Sequence, residues 1–161
     1  MAYAALGNCY YSLGETALGA QCARKAYELR ERVSEREKLS IESHYHDVTG
    51  DLEKASQAYE LWAQTYPRDS VPRNNLGDVY RYLGQHDKAL ANLRDSMLLG
   101  NKTYSNLVLT YLNLNRFKEA QAMAEETQAK NFDPAWTHFE LYLLAFLQNH
   151  EPAMAQQVAC R

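Results

Sequence analysis

The sequence predicts an all-α protein built as a solenoid of antiparallel helical hairpins. Turn-like glycine or asparagine sites recur at positions 14, 50, 84, 115 and 149, spaced by 31 to 36 residues. Between them lie helix-length segments whose apolar residues recur three and four positions apart. β-Branched residues are sparse, and no segment alternates apolar and polar residues as a strand would. This repeat length is typical of solenoids in which each hairpin stacks on the next.

Residues that favour helix starts and stops place the individual elements. Glycine or asparagine at each turn suits the left-handed backbone that ends a helix. Ser34 and Glu37 form a predicted capping box for a helix from about residue 35, and Asp51 can cap the next helix. We expect four further caps, at Ser70, Asn115, Asp133 and Asn149. The pattern predicts ten short helices in five hairpins.

The hairpins are expected to form one array over residues 1–161, with about four and a half repeats. The predicted repeats span 1–34, 35–69, 70–100, 101–132 and 133–161, and the last of them is truncated. Both ends of the sequence lie in helix-like segments, and the final one has no Gly, Asn or Pro to end it. We therefore expect the array to be a fragment of a longer protein.

Composition and charge disfavour several functional classes. The net charge is −3, from 17 basic and 20 acidic residues, which gives no basic surface for nucleic acid or for an anionic membrane. No apolar run approaches the roughly 18 residues of a membrane span. The three cysteines are an odd number without framework spacing, which argues against a disulfide-stapled secreted domain. We expect this segment to contact neither nucleic acid nor membrane.

The repeat resembles the tetratricopeptide (TPR) pattern. That pattern has an aromatic residue, Leu-Gly and Tyr on a first helix, then Ala and an aromatic residue on a second, then Pro. The matching residues recur in phase: Tyr3, Leu6, Gly7 and Tyr10; Ala55, Tyr59 and Pro67; Leu76, Gly77, Tyr80 and Ala89; Tyr104, Leu107, Tyr111 and Ala120; Trp136, Phe139 and Leu143. The resemblance implies a right-handed solenoid whose first helices line a concave groove that binds a protein or peptide.

Two segments carry a narrower resemblance. Residues 32–39 and 59–69 look like the C-terminal TPR region of bacterial serine/threonine protein kinases. This implies a recruitment or regulatory region of a larger bacterial signalling protein, although the sequence contains no kinase motif. We expect a cytoplasmic location, or a periplasmic or extracellular one if a membrane-spanning linker joins the array to its effector.

No residue pattern predicts catalysis, a metal site or a cofactor. His44 and His46 lie about 200° apart on a helix and cannot share a metal. The sequence contains no HExxH, paired CxxC or Gly-x-Ser-x-Gly. We therefore expect a protein without enzymatic activity of its own.

The candidate ligand-binding groove follows from the repeat phase. Its predicted residues are amide-rich with mixed charge, and asparagine side chains can bond both the N–H and the C=O of a peptide. They are Asn8, Tyr11, Glu37, His44, Asp47, Asn74, Asn75, Asp78, Arg81, Lys102 and Asn106. The carboxylate clamp of TPR proteins that bind chaperone tails is disfavoured, because only Asn75 and Lys102 match it.

Two alternatives remain open. Glu42 and His46 are four residues apart and can pair, either as a structural contact or as a pH-sensitive spot. The alternative to peptide binding is self-association into a homo-oligomer through apolar faces at the ends of the array. Its candidate residues are Met123, Phe132, Phe146, Met154 and Val158.

Overall fold

A computed structural model describes residues 2–132 and 134–159, which form ten α-helices and one short 3₁₀ helix. The helices are α1 (Ala2–Ser12), α2 (Thr16–Glu28), α3 (Glu35–Val48), α4 (Leu52–Thr65), α5 (Ser70–Tyr82), α6 (His86–Leu98), α7 (Tyr104–Asn113), α8 (Phe117–Ala129), α9 (Pro134–Leu147) and α10 (Glu151–Ala159). The 3₁₀ helix, Arg30–Arg32, lies between α2 and α3. Each odd-numbered helix packs against the even-numbered helix that follows it. The predicted all-α array of paired hairpins is confirmed.

The turn inside each hairpin has a left-handed residue, as the sequence predicts. Gly14, Gly50, Gly84, Asn115 and Asn149 all have positive φ. At Gly84 the backbone N–H of Gln85 donates to Tyr80 O at 2.8 Å, which closes the last turn of α5 across five residues. Asparagine tolerates this conformation better than other side chains do, so it replaces glycine in the last two turns.

The helix starts agree with the sequence prediction only in part. The capping box of Ser34 and Glu37 is present at α3, and Asp51 accepts a hydrogen bond from Lys54 N at α4. The predicted cap at Ser70 is wrong. Asp69 caps α5 instead, because its carboxylate accepts from Val71 N at 3.1 Å.

The predicted caps at Asn115 and Asn149 are also wrong. Both residues lie in the left-handed turn, two positions before the first residue of the next helix. Arg116 occupies the N-cap of α8, and its side chain makes no capping hydrogen bond. At α10 it is the ring Nδ1 of His150 that accepts from Ala153 N, at 3.1 Å. The predicted cap at Asp133 lies outside the described residues.

The core is shared between hairpins. One buried cluster joins Leu39 of α3, Tyr59 and Trp62 of α4, and Val79 of α5, and it extends to α6. A second joins α6, α7 and α8 to Leu144 of α9. Because each cluster draws on neighbouring hairpins, a single hairpin would leave its apolar face in water.

A close approach inside the third hairpin depends on Gly77. A Cβ atom at this position would lie 2.5 Å from Leu93 Cγ, so α5 and α6 can pack at this distance only with glycine there. Leu93 itself is fully buried.

The array curves toward its first helices. α5 packs on α7, and α7 packs on α9, across the hairpin boundaries. No pair of successive second helices makes a comparable contact within residues 2–132 and 134–159. From α5 to α9 the first helices are therefore closer together than the second helices, and the side of the first helices is the concave one.

Candidate functional site

A continuous chain of hydrogen bonds crosses the concave side. Asn106 of α7 donates from Nδ2 to Asn74 Oδ1 at 3.2 Å and to Asp78 Oδ2 at 2.9 Å, both on α5. Asn74 donates to Asn75 Oδ1 at 3.1 Å, and Asn75 donates to the Tyr59 hydroxyl at 3.3 Å. These bonds join three hairpins through side chains alone. We call Asp47, Tyr59, Asn74, Asn75, Asp78, Arg81 and Asn106 the concave network.

Asp47 of α3 ends this network at the N-terminal side of the array. The Tyr59 hydroxyl donates to its Oδ2 at 3.5 Å, a long and weak bond. Burial raises the pKa of the Asp47 carboxyl to about 6, the Asp78 carboxylate adds to the rise, and the bond from Tyr59 opposes it. The fold therefore disfavours the charged form of the Asp47 carboxyl group.

Asp78 is better neutralised than Asp47. Arg81 donates from Nη2 to Asp78 Oδ1 at 3.1 Å, while Asn106 occupies Oδ2. Burial still raises the pKa of the Asp78 carboxyl, and the bonds from Arg81 and Asn106 oppose the rise. Both oxygens of Asp78 are thus engaged within the protein, whereas Asp47 has one weak bond.

An aromatic pair lies between the first two hairpins. The rings of Tyr11 on α1 and His44 on α3 meet edge to face, with centroids 6.0 Å apart. The Tyr11 ring passes so close to Gly19 of α2 that a Cβ atom there would lie 2.8 Å from it. Tyr11 Oη and His44 Nε2 are buried and have no hydrogen-bond partner among the described residues. Burial lowers the pKa of the His44 imidazole, which favours the neutral ring.

The structure brings together eight of the eleven predicted groove residues: the aromatic pair, Tyr11 and His44, with Asp47, Asn74, Asn75, Asp78, Arg81 and Asn106. Asn8 is exposed on α1 with no side-chain bond in the described chain. Glu37 accepts from the backbone and hydroxyl of Ser34, so the capping box of α3 engages its carboxylate. Lys102 precedes α7, and its Nζ lies 5.1 Å from the centre of the Phe132 ring.

The predicted pairing of Glu42 with His46 is wrong. Glu42 accepts from Arg30 Nε at 3.1 Å instead, and that guanidinium also lies 3.9 Å from the centre of the Tyr27 ring. His46 packs edge to face on Tyr27 and Tyr45, with centroids 5.8 and 5.5 Å away. The 3₁₀ helix brings Arg30 to this face, and the spacing on α3 alone does not reveal it.

Sequence reasoning does not identify one member of the concave network. The repeat pattern predicts only a packing role for Tyr59, and this residue is indeed 1 % exposed. Its hydroxyl also joins Asp47 to Asn75, so a second-helix residue completes the polar chain of the first helices. The only indication in the sequence is that a buried tyrosine hydroxyl requires a partner.

No group of three His, Cys, Asp or Glu side chains in residues 2–132 and 134–159 is arranged to hold a metal ion. No helix among these residues is long and apolar enough to cross a membrane.

Comparison with known proteins agrees with the repeat pattern. Family models described as tetratricopeptide repeat match residues 2–32, 73–104 and 102–127, together more than half of the chain. No curated protein matches the chain in sequence.

Solved structures share the fold at low identity. TTC0263, a thermophilic TPR protein of Thermus thermophilus, is 19 % identical with a TM-score of 0.82, over 98 % of this chain and 87 % of that chain. PilW, a type IV pilus biogenesis factor, is 12 % identical with a TM-score of 0.75, over 96 % and 72 %. BtubC from P. vanneervenii is 18 % identical with a TM-score of 0.71, over 97 % and 75 %. At these identities the likeness establishes the fold alone.

Proposed function

Because the chain belongs to the tetratricopeptide repeat family, we propose that it is a protein-interaction scaffold whose concave side binds an extended peptide or a partner helix. TPR arrays generally bind protein partners, and the ligand here meets the first helices α1, α3, α5 and α7. The contribution of the fold is preorganisation, since a rigid groove loses little conformational entropy on binding.

The concave network is the observation that carries this proposal. Its asparagines bond one another, so their side chains are held in place before a ligand arrives. Asn106 uses Nδ2 for Asn74 and Asp78, and its Oδ1 accepts no hydrogen bond within the described residues. A carbonyl oxygen held in this way can accept from a backbone N–H of a guest peptide.

A display experiment tests the groove even though the natural partner is unidentified. Random peptides on phage are selected against the chain, and the affinity of each selected peptide is measured against Asn106→Ala. The matched control is Gln57→Ala, because Gln57 is an exposed amide on the second helix α4 and its side chain forms no hydrogen bond with the described residues. Peptides that bind Gln57→Ala normally and Asn106→Ala at least about tenfold more weakly support the proposal. Selected peptides that bind Asn106→Ala as tightly as the unsubstituted chain contradict the proposal.

Self-association is a second candidate, favoured by apolar exposure at the C-terminal end. Trp136 and Phe139 of α9 are 51 % and 45 % exposed, and Phe146 of the same helix is 57 % exposed. Val158 of α10 is 70 % exposed, whereas Met123 and Phe132 pack within the chain. Light scattering over a range of concentrations tests it, and a constant monomer mass removes it.

The narrower proposal concerns an attached effector such as a serine/threonine kinase. It rests on the resemblance of residues 32–39 and 59–69. Arg36 in the first segment donates to Asp69 Oδ2 in the second at 2.9 Å, and Trp62 Nε1 donates to the same oxygen at 3.2 Å. The resemblance therefore covers one packed unit. A kinase domain in the same natural protein supports the proposal, and a full-length protein without any effector domain contradicts it.

A further inference from the structure

We propose that the concave side contains a subsite for a cationic side chain, centred on Asp47, and that the bound partner places a lysine or arginine there. This inference rests on the proposed function, because it names the chemistry of the ligand that the groove receives. It concerns one carboxylate and its surroundings on α1, α3, α4 and α5.

Asp47 is a carboxylate without a cation. No lysine, arginine or histidine forms an ion pair with it in the described chain, and Arg81, the arginine of the concave network, is engaged by Asp78. Its Oδ2 has one 3.5 Å bond from Tyr59, while Oδ1 accepts no hydrogen bond from the described residues and is not sealed from solvent. One carboxylate oxygen is thus without a hydrogen-bond donor in the described residues and is not fully buried.

The groups around Asp47 suit a cation and no other charge. Asp78 repels the Asp47 carboxylate, so the local potential around that carboxylate is negative. Tyr11 lies close enough to Asp47 to interact with its charge. The Tyr11 ring packs edge to face on His44, whose imidazole burial keeps neutral. A lysine or arginine can bond the carboxylate while its stem and charge lie along aromatic rings.

A bound metal ion is a poorer occupant of this subsite. Divalent cations require several oxygen or nitrogen ligands, and no group of three candidate ligands is present in the described residues. A side-chain cation needs only one carboxylate oxygen and a hydrogen bond to it.

The fold retains Asp47 at a cost to its own stability. The pKa of the carboxyl is raised to about 6, so ionisation at neutral pH is less favourable in the folded chain than in the unfolded one. Groups that destabilise a fold without a compensating contact are typical of binding sites. A guest cation supplies the missing contact.

The experiment uses peptides selected on phage against the wild-type chain. Selection against Asp47→Asn runs in parallel, and Glu35→Gln serves as the matched control because Glu35 is an exposed carboxylate on the same helix. Asparagine keeps the shape of the side chain and an acceptor for Tyr59, so a thermal melt verifies that the variant is folded. We expect lysine or arginine to be enriched at one position in the wild-type and Glu35→Gln pools and not in the Asp47→Asn pool.

A double-mutant cycle then locates the contact. Replacing the enriched cationic residue by norleucine should weaken binding at least about tenfold on the wild-type chain and less than about twofold on Asp47→Asn. Peptides that depend on Asn106 but show no such enrichment, or no coupling to Asp47, overturn the cationic subsite and leave the groove function standing. A selection that yields no peptide dependent on Asn106 overturns the proposed function itself.

Discussion

Asn106 of α7 donates a 2.9 Å hydrogen bond to Asp78 of α5, and this contact joins the third and fourth hairpins on their concave side. The same amide bonds Asn74, so one side chain fixes two residues of the preceding first helix. Contacts of this kind hold the concave side in one arrangement, which a groove requires if it is to bind without reorganising.

Removal of this link should be measurable in the free protein. Asn106→Ala leaves Asp78 with one bond fewer in a largely buried site, and we expect unfolding to become easier by about 1–2 kcal/mol. Urea denaturation followed by circular dichroism measures the change. Asn113→Ala on the same helix should change stability by no more than about 0.5 kcal/mol. Equal effects of the two substitutions would contradict the role of Asn106.

Asp47 should make stability fall as the pH rises. Its folded pKa of about 6 lies above the unfolded value of 3.8, so the folded chain binds more protons between these values. The free energy of unfolding therefore decreases through this range, and the loss is complete above pH 6. Because the carboxyl is partly exposed, we expect Asp47→Asn to raise the free energy of unfolding by only about 1 kcal/mol at about pH 7. At about pH 3.5 the substitution should leave it unchanged.

The comparison of the two proteins isolates this carboxyl from other titrating groups. His44 has a lowered pKa through burial, and its protonation acts in the opposite direction at acidic pH, but it is present in both proteins. A stability difference that does not change with pH would contradict the assignment to Asp47.

Gly77 should not tolerate a methyl group. A Cβ atom there would meet Leu93 Cγ at 2.5 Å, so Gly77→Ala must push α5 and α6 apart and should cost about 1–3 kcal/mol. The same substitution in a Leu93→Ala background should cost less, since the obstructing atoms are gone. Thermal melts of the four proteins measure the coupling, and additive losses would contradict the contact.

The Asp69 side chain should contribute more to the stability of the fold than an ordinary helix cap does. One oxygen accepts from Val71 N, and the other accepts from Arg36 Nε and Trp62 Nε1. We expect Asp69→Ala to cost about 2–4 kcal/mol, measured by urea denaturation, because the indole N–H loses its partner in addition to the cap. Asp87→Ala, at a first-turn position of α6, is the control and should cost less than about 0.5 kcal/mol. A loss at Asp69 as small as that at Asp87 would refute this assignment.

The sequence predicts local features well where one residue determines them. Glycine at positions 14, 50 and 84 predicts turns with a left-handed residue, and the structure has them. The spacing of Ser34 and Glu37 predicts their capping box, which is also present. The predicted caps at Asn115 and Asn149 are wrong, because asparagine serves equally well as a helix cap and as a left-handed turn residue.

Contacts between elements are harder to predict. The bond between Glu42 and Arg30 depends on the 3₁₀ helix, and the position of Lys102 depends on where α7 begins. The repeat phase predicts the concave network as a set of polar residues. That they bond one another, and that Tyr59 takes part, depends on distances between helices that periodicity does not encode.

The most direct test of the concave binding surface is a hydroxyl-radical footprint of the chain with a selected peptide bound. Oxidation of Tyr11 and His44 on the first helices should fall on binding. Leu61 of α4 and Leu98 of α6, which are 52 % and 85 % exposed on the second helices, should remain as reactive as in the free chain. Protection of Leu61 and Leu98 with no change at Tyr11 and His44 would place the ligand on the opposite side and contradict the account.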